Sequence, residues 1–576
     1  MKIYAMNYKI LSLLILIFAN PVISQKSDKN KNLSKRQTFY YDPGTNLHKE
    51  STGYYYVDEL GETTERHGRW EFFDRNGIKV EERNYNRNKL HGETVRYYDG
   101  KRIKDLGYFK NDVQDSIYIA FNPKGDTTEV GFYNLGKPIG QWRYFYDDGA
   151  LKSVEEIIDS TSFIWEFYGA DSLHTQTLTD GNGEVMIYYS NGNIKSHHYY
   201  KNGLKHGTFI EGAVYGYPQL TGEYKEGQPE GEWKEYFYTG DLEKITNYVN
   251  GKLHGPYILY YDNGENRITG QYESGKKIGE WTWFTNNGTI DMKGSFKNDL
   301  QHGSWIYNYT DGSLSYRAKY KNGKKDGTWK YYYRTGKKFK TGDFRDDLKE
   351  GEWKTWYENG TLLMEGNYKK DLEDGIWKNY WENGNLKNQS TFKKGKLNGE
   401  WLSFYDNGIK LTQGSYDMGV KTGEWTKFFP NGSISDITTY KVMVRKSKID
   451  YGIMKNRSER IAVKHGKSVA YSQKDYTKME EGKYKNDKKH GKWVAYNPGG
   501  ELPVTITHYK NGSLNGKMLS FDRYGNIISE TNYKNGVKHG NMKIFDKNGK
   551  VTRTMKFNQG IQVIEGTRSG TSFSPN

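Results

Sequence analysis

The chain has 576 residues, a length that ordinarily makes three or four domains, yet hydrophobic residues are only 34% and aromatics alone 16%, against the roughly 45–50% apolar content of a globular domain. That excludes several aliphatic cores, and the wealth of rings excludes disorder. Zero cysteines exclude a disulfide scaffold or a thiolate metal site, and a net charge of +16 spread over this length is a mild field, not a polybasic patch.

Residues 1–24 read as a signal peptide. Lys2 and Lys9 form the charged start, Ile10 to Ala19 the apolar stretch, and Val22 and Ser24 the small residues before Gln25. About ten apolar residues fall short of the ~20 needed to span a bilayer, so export is expected rather than anchoring. Residues 25–50 form a polar leader.

From there the chain repeats itself. A Gly followed two residues later by Trp recurs as Gly279/Trp281, Gly303/Trp305, Gly327/Trp329, Gly351/Trp353, Gly375/Trp377, Gly399/Trp401 and Gly423/Trp425, in steps of 24. Eleven of the 15 Trp sit in this slot. Backwards, Gly140, Gly92 and Gly68 keep step, with Ser116 in the missing place; forwards, Gly466, Gly491, Gly516 and Gly540 continue. In the unit opened by Gly351, Trp353 to Tyr357 is expected as a first strand and Leu362 to Tyr368 as a second. Asn359-Gly360 between them is expected to form a type I′ turn, where two residues have φ > 0. The slot 20 after the leading Gly holds Gly, Asn or Asp in nearly every unit, which calls for a left-handed backbone there too. Each unit is thus a β-hairpin. The fold class expected is all-β: an elongated array of about twenty antiparallel 24-residue hairpins. A second Gly two before a ring, as in Gly366/Tyr368, lets an aromatic lie over bare backbone.

The period breaks twice, dividing the array into repeats 51–158, a degenerate unit 159–182, regular repeats 183–440, a basic degenerate unit 441–464, repeats 465–566 and a tail 567–576. The basic unit carries eight cations, Arg445, Lys446, Lys448, Arg457 and Arg460 among them, against two acids. It reads either as a decayed hairpin with a solvated loop or as a docking point for an acidic partner.

The unit Gly-x-Trp-x-x-Tyr-Tyr-x-Asn-Gly, followed by a strand and turn x-Gly-x-Tyr-Lys-x-Gly, resembles the MORN repeat, and in particular its bacterial variants. The resemblance implies an antiparallel hairpin array with no catalytic residues of its own. The bacterial variant family carries a YwqK-type antitoxin label, which implies neutralisation by protein binding; the wider family implies lipid-headgroup binding and scaffolding.

No catalytic or cofactor motif stands out. Gly270 to Lys277 imitates a phosphate loop but lacks the Ser/Thr for Mg²⁺ and lies across a strand and turn. Eight of the 13 His directly precede a leading Gly; at two strand spacings apart they are too distant to share one metal ion, and a polar residue capping the turn is the simpler account. Trp283, Trp356 and Trp381, outside the regular Trp slot, together with the five basic residues of 441–464, are the candidate binding residues. The function expected is an exported, non-enzymatic scaffold with a protein partner at the bacterial envelope or outside it. The alternatives are an antitoxin or immunity protein, and an adhesin-like binder of glycan or anionic lipid. Nucleic acid is not an expected ligand, because basic residues are mixed with acidic ones.

Overall fold

The computed structural model describes residues 33–447 and 457–564. The residues of the expected signal peptide lie outside these. The described residues form 46 β-strands and no helix, and the chain divides into two units, Met1–Gly255 and Pro256–Asn576. In each unit, strands consecutive in sequence pair antiparallel, and tertiary contacts run chiefly between such neighbours. Each unit is therefore built as a meander whose two faces must be stabilised by side chains of the sheet itself.

The hairpin opened by Gly351 shows how. Its strands are Leu348–Trp356 and Leu362–Lys369, so the first begins earlier than Trp353 and ends one residue sooner than the sequence implied. Trp353 pairs with Gly366 on one side. On the other side the register jumps between Thr341↔Lys354 and Asp343↔Glu350, so Gly342 faces the stretch Gly351–Trp353. The jump is a bulge, and Gly351 makes it with φ 68°. Ser116, the one non-glycine in the leading slot, adopts φ 64° there as well.

Both turns carry left-handed residues, but not as the sequence was read. In Tyr357–Thr361 only Gly360 has positive φ (96°); its N–H donates to the Tyr357 carbonyl at 3.0 Å, and Tyr357 N–H donates to Thr361 at 2.9 Å. That is a three-residue loop, a type I turn closed by a left-handed Gly, not type I′. The type I′ geometry belongs to the other turn, between units, where both central residues are left-handed: Lys370 (51°) and Asp371 (65°), or Asn322 (50°) and Gly323 (82°). Asn359 is kept in the first loop for its side chain, whose Oδ1 accepts Thr361 N–H at 2.8 Å.

The second break in the period also resolves differently. Residues 441–464 are not a short hairpin of their own. They prolong two existing strands, Ile434–Ser447 and Arg457–Tyr471, which are 14 and 15 residues long where their counterparts in the preceding unit have 8 and 9. The arms pair without a break from Lys441↔Val463 to Ser447↔Arg457. In the first break, Thr161–Tyr168 pairs with a short strand Gln176–Thr179 across a long loop.

Candidate binding surfaces

The face that carries the regular Trp is closed. Ten of the eleven slot Trp are buried, with Trp353 at 2% exposure. A Cβ added to Gly342 would lie 2.0 Å from the Trp353 ring, so the indole rests flat on bare backbone. The same holds for Gly131 under Trp142, Gly294 under Trp305, Gly366 under Trp377 and Gly414 under Trp425. The ring that covers each Gly thus belongs to the following unit, eleven residues on. In Trp305, Trp353, Trp377 and Trp425 the Nε1–H donates to the carbonyl of the residue after that Gly, as Trp353 to Asp343 at 3.2 Å, which satisfies the one polar atom taken out of water; the buried Nε1 of Trp142 has no such partner. Phe344 and Tyr368 close the edges at 5.2 and 5.8 Å. Lys349 Nζ lies 5.2 Å from the ring centroid; Lys421 stands 4.1 Å over Trp425 and Lys489 3.9 Å over Trp493. Stacked rings and lysine stems do the work of a second layer.

The opposite face is charged. Lys354 lies between Glu352 (2.9 Å) and Glu365 (3.9 Å), Lys378 reaches Glu365 at 4.0 Å, and Lys293 pairs with Glu280 at 2.7 Å. Such exposed pairs contribute little stability each; they set the character of the surface.

The three candidates Trp283, Trp356 and Trp381 are half-buried. Trp283 stands between Trp281 and Trp305, at 6.0 and 5.8 Å. It opens a cross-strand row that runs through Met292, Tyr307 and Tyr316 to Tyr331. Tyr307 and Tyr316 stack at 4.2 Å and 13°, Tyr316 and Tyr331 at 5.5 Å. Their faces are turned on one another, and burial pushes the Tyr316 and Tyr331 phenols up to about 12. Trp381 occupies a slot that is Tyr in neighbouring units. There Tyr333 donates its hydroxyl to Trp356 O at 2.8 Å and Tyr357 to Tyr380 O at 3.0 Å; Trp381 makes the corresponding bond through Nε1 to Phe404 O at 3.3 Å, with Lys387 4.2 Å over its ring. Trp356 supplies the carbonyl for the Tyr333 bond and lies 5.9 Å from Lys338 Nζ.

The polar slot before the leading Gly shows more than one behaviour, and His465 there bonds the Asn486 side chain at 3.1 Å. Glu230 and Glu350 accept the N–H of Asn250 and Lys370, 20 residues on, at 2.8 and 3.0 Å. Asn398 does so for Met418 at 3.2 Å. His67, His302 and His490 do not: each buries an Nδ1 without a hydrogen-bond partner. Among the described residues no three His, Asp or Glu converge as metal ligands would, and no helix is long and apolar enough to cross a membrane.

The basic residues of 441–464 divide. Arg445 and Arg460 stand exposed on the prolonged arms. Arg460 forms an ion pair with Asp417, at the end of the strand Lys410–Asp417. Lys446 and Arg457 occupy strand positions on the two arms, and Lys448 lies outside the described residues. The structure therefore does not bring the Trp candidates and the basic candidates into one site: they sit in different strands of the second unit.

One pairing escaped the sequence reading and had a signal. From Gly131 onward, where the bare-backbone slot is Gly, Ala318 or Ser390, the residue eleven on is Trp; the earlier Gly107 precedes Tyr118. Where it is His198, Thr246, Thr507 or Thr531, that residue is Phe209, Tyr257, Met518 or Met542. A larger slot residue goes with a smaller or narrower partner, which is volume complementarity across a strand pair.

The family model described as MORN repeat variant matches twelve segments: 66–87, 182–202, 229–250, 277–298, 301–322, 325–346, 349–370, 373–394, 397–418, 421–441, 514–535 and 538–559. No curated protein matches. Among solved structures, the chain overlaps one titled "Crystal Structure of TcdB2-TccC3-Cdc42" at 12% identity, covering 91% of this chain and 31% of that one, with a TM-score of 0.12. A Tc holotoxin pore structure from Photorhabdus luminescens overlaps at 9% identity, covering 91% and 30%, also with a TM-score of 0.12. The chain spans about a third of the length of these chains, and at such TM-scores no shared geometry is read.

Proposed function

This chain is a MORN-repeat protein, a repeat scaffold, and from that premise we propose that it is exported, non-enzymatic and binds a protein partner at the bacterial cell envelope or outside it. The observation that carries the reading is how the repeated side chains are used. Trp, Tyr, Asn and Gly of the regular slots are engaged in holding one hairpin to the next, so the array is a support. Recognition falls to what varies between units: the charged face and the prolonged arms. Export rests on Lys2, Lys9 and the apolar run Ile10 to Ala19.

The test is in two parts. N-terminal sequencing of the protein recovered outside the cytoplasm should begin at Gln25. Crosslinking of the full chain in its own cells, followed by mass spectrometry, should return one partner in stoichiometric amount, with crosslinks on the charged face or the arms. Retention of residues 1–24 in the cytoplasm overturns the export half. Binding only to polysaccharide or to anionic liposomes, abolished by salt, overturns the protein-scaffold half.

A further inference from the structure

The prolonged arms expose a strand edge within the array, away from its first and last described strands. Lys464 N–H donates to Asp487 Oδ1 at 2.7 Å, and its carbonyl accepts Asp487 N–H at 2.9 Å. The backbone groups of Lys464 therefore face the turn at Asn486–Asp487. In an extended strand every second residue points its N–H and C=O the same way, so Ala462, Arg460 and Ser458 face that side too. The strand on that side, Lys478–Lys485, begins its pairing only at Gly466↔Tyr484. Past the turn, no strand among the described residues pairs with Ser458, Arg460 or Ala462 on this edge; across the ribbon they stand opposite Lys446, Val444 and Val442, while the intervening Glu459, Ile461 and Val463 turn their backbone groups inward to Arg445, Met443 and Lys441.

The chemistry of this edge is specific. The described charged side chains of the arms are Lys441, Arg445, Arg460 and Lys464 against Glu459, and with Arg460 paired to Asp417 the balance is still cationic. Apolar residues alternate with them: Val444, opposite Arg460, is 59% exposed, and Met443 pairs with Ile461. A free edge of alternating donors and acceptors is complementary to another backbone. An anionic lipid headgroup offers acceptors only and leaves the carbonyls unmatched. A second copy of the same edge would set cations against cations.

We propose that the outer edge of Ser458–Ala462 takes an extended segment of a partner polypeptide, acidic and apolar by turns, as an added β-strand. The proposal rests on the protein-binding reading and gives it a site and a mode.

The test uses the full chain and a fluorescent synthetic peptide of about twelve residues, alternating Val and Glu, long enough to form a strand. A second peptide carries the same sequence with alternate backbone nitrogens methylated. The variant Ser458→Pro with Ala462→Pro removes two outward N–H groups without changing charge, a substitution an edge tolerates. Lys441→Glu with Arg445→Glu reverses the charge. The unmodified peptide should bind the wild-type chain, and each double variant should weaken it by about tenfold or more, the worth of two lost hydrogen bonds or of the reversed field. The methylated peptide should not bind. Hydrogen exchange on Lys441–Arg445 reports whether the proline variant keeps its arms paired; if it does not, the methylated peptide on the wild-type chain decides. Equal binding to the proline variant with its arms intact, equal binding of both peptides, or capture by phosphatidylglycerol vesicles without peptide binding each overturn the proposal. Those results leave the scaffold reading standing, because a crosslinked stoichiometric partner is sought on the wild-type chain independently of this edge.

Discussion

Gly342 and Trp353 show how a single sheet buries tryptophan. The glycine has no side chain to be covered, the indole has no second layer to cover it, and each removes the other's deficit at a spacing that admits no Cβ. Burial of a ring is worth roughly 4–6 kcal/mol at about 25 cal/mol/Å² over ~150–250 Å², so the slot is sensitive to one added atom. Gly342→Thr should destabilise the array by about 1–3 kcal/mol through overpacking. Adding Trp353→Tyr should recover part of that loss, because Thr246 and Tyr257 already occupy the same pair of slots. A double-mutant cycle by urea denaturation measures the coupling; strictly additive costs would refute the volume argument. His198 is the titratable counterpart. It stands in the slot beside Phe209 at 4.7 Å, and burial, then the Lys205 charge and His197, lower its pKa from 6.5 to about 4. The unfolded chain thus binds this proton more readily than the folded one. Stability present above pH 6.5 is lost as pH falls towards 4. Thermal melts of the wild-type chain should show that slope in the first unit, and His198→Phe should flatten it.

At the level of the hairpin, two turns with similar residues do different work. The three-residue loop is laced to the next loop by side chains: Tyr333 to Trp356 at 2.8 Å, and Asn383 Nδ2 to Asp406 O at 2.8 Å. The type I′ turn is laced by backbone, as Asp371 N–H to Lys349 O at 3.0 Å, with the Asp371 carboxylate accepting Lys349 N–H at 2.8 Å. Where Gly323 replaces the aspartate, the backbone bond to Gln301 persists at 2.8 Å, so the left-handed conformation is the requirement and the carboxylate an addition. Tyr333→Phe removes one inter-unit bond at a half-buried carbonyl and should cost about 0.5–1.5 kcal/mol. Amide exchange should rise around the loops at 333–336 and 357–360 and nowhere else in the second unit.

For the whole molecule, contacts between sequence neighbours make stability a sum of local and nearest-neighbour terms. Trp329→Ala removes a ring of 4% exposure and should cost about 3–5 kcal/mol. Increased hydrogen exchange should stay within the hairpins holding Ala318, Phe344 and Trp353, which form the same cluster. A uniform rise along the chain would contradict a nearest-neighbour array. The prolonged arms add little to this balance, since a two-stranded ribbon is marginal alone.

Period, fold class and repeat type were legible in the sequence because each is local: a 24-residue step, a turn residue that must be left-handed, and a glycine that admits a ring all leave their mark within one unit. Asn359-Gly360 and Asp371 were both recognised as turns for that reason. Their types were not, since Asn and Gly serve either geometry, and the bulge at Gly351 and the register across the strand pair choose between them. The same register assigns the ring over Gly342 to the following unit rather than to Phe344 two residues away. Trp283, Trp356 and Trp381 were visible as irregular but not as ladder and stacking residues, because their partners lie on neighbouring strands. Residues 441–464 were visible as a break and a charge cluster. Only the structure makes them two long arms, because that outcome depends on pairing between Ile434–Ser447 and Arg457–Tyr471, and no step of the repeat encodes how far two strands run beyond their neighbours.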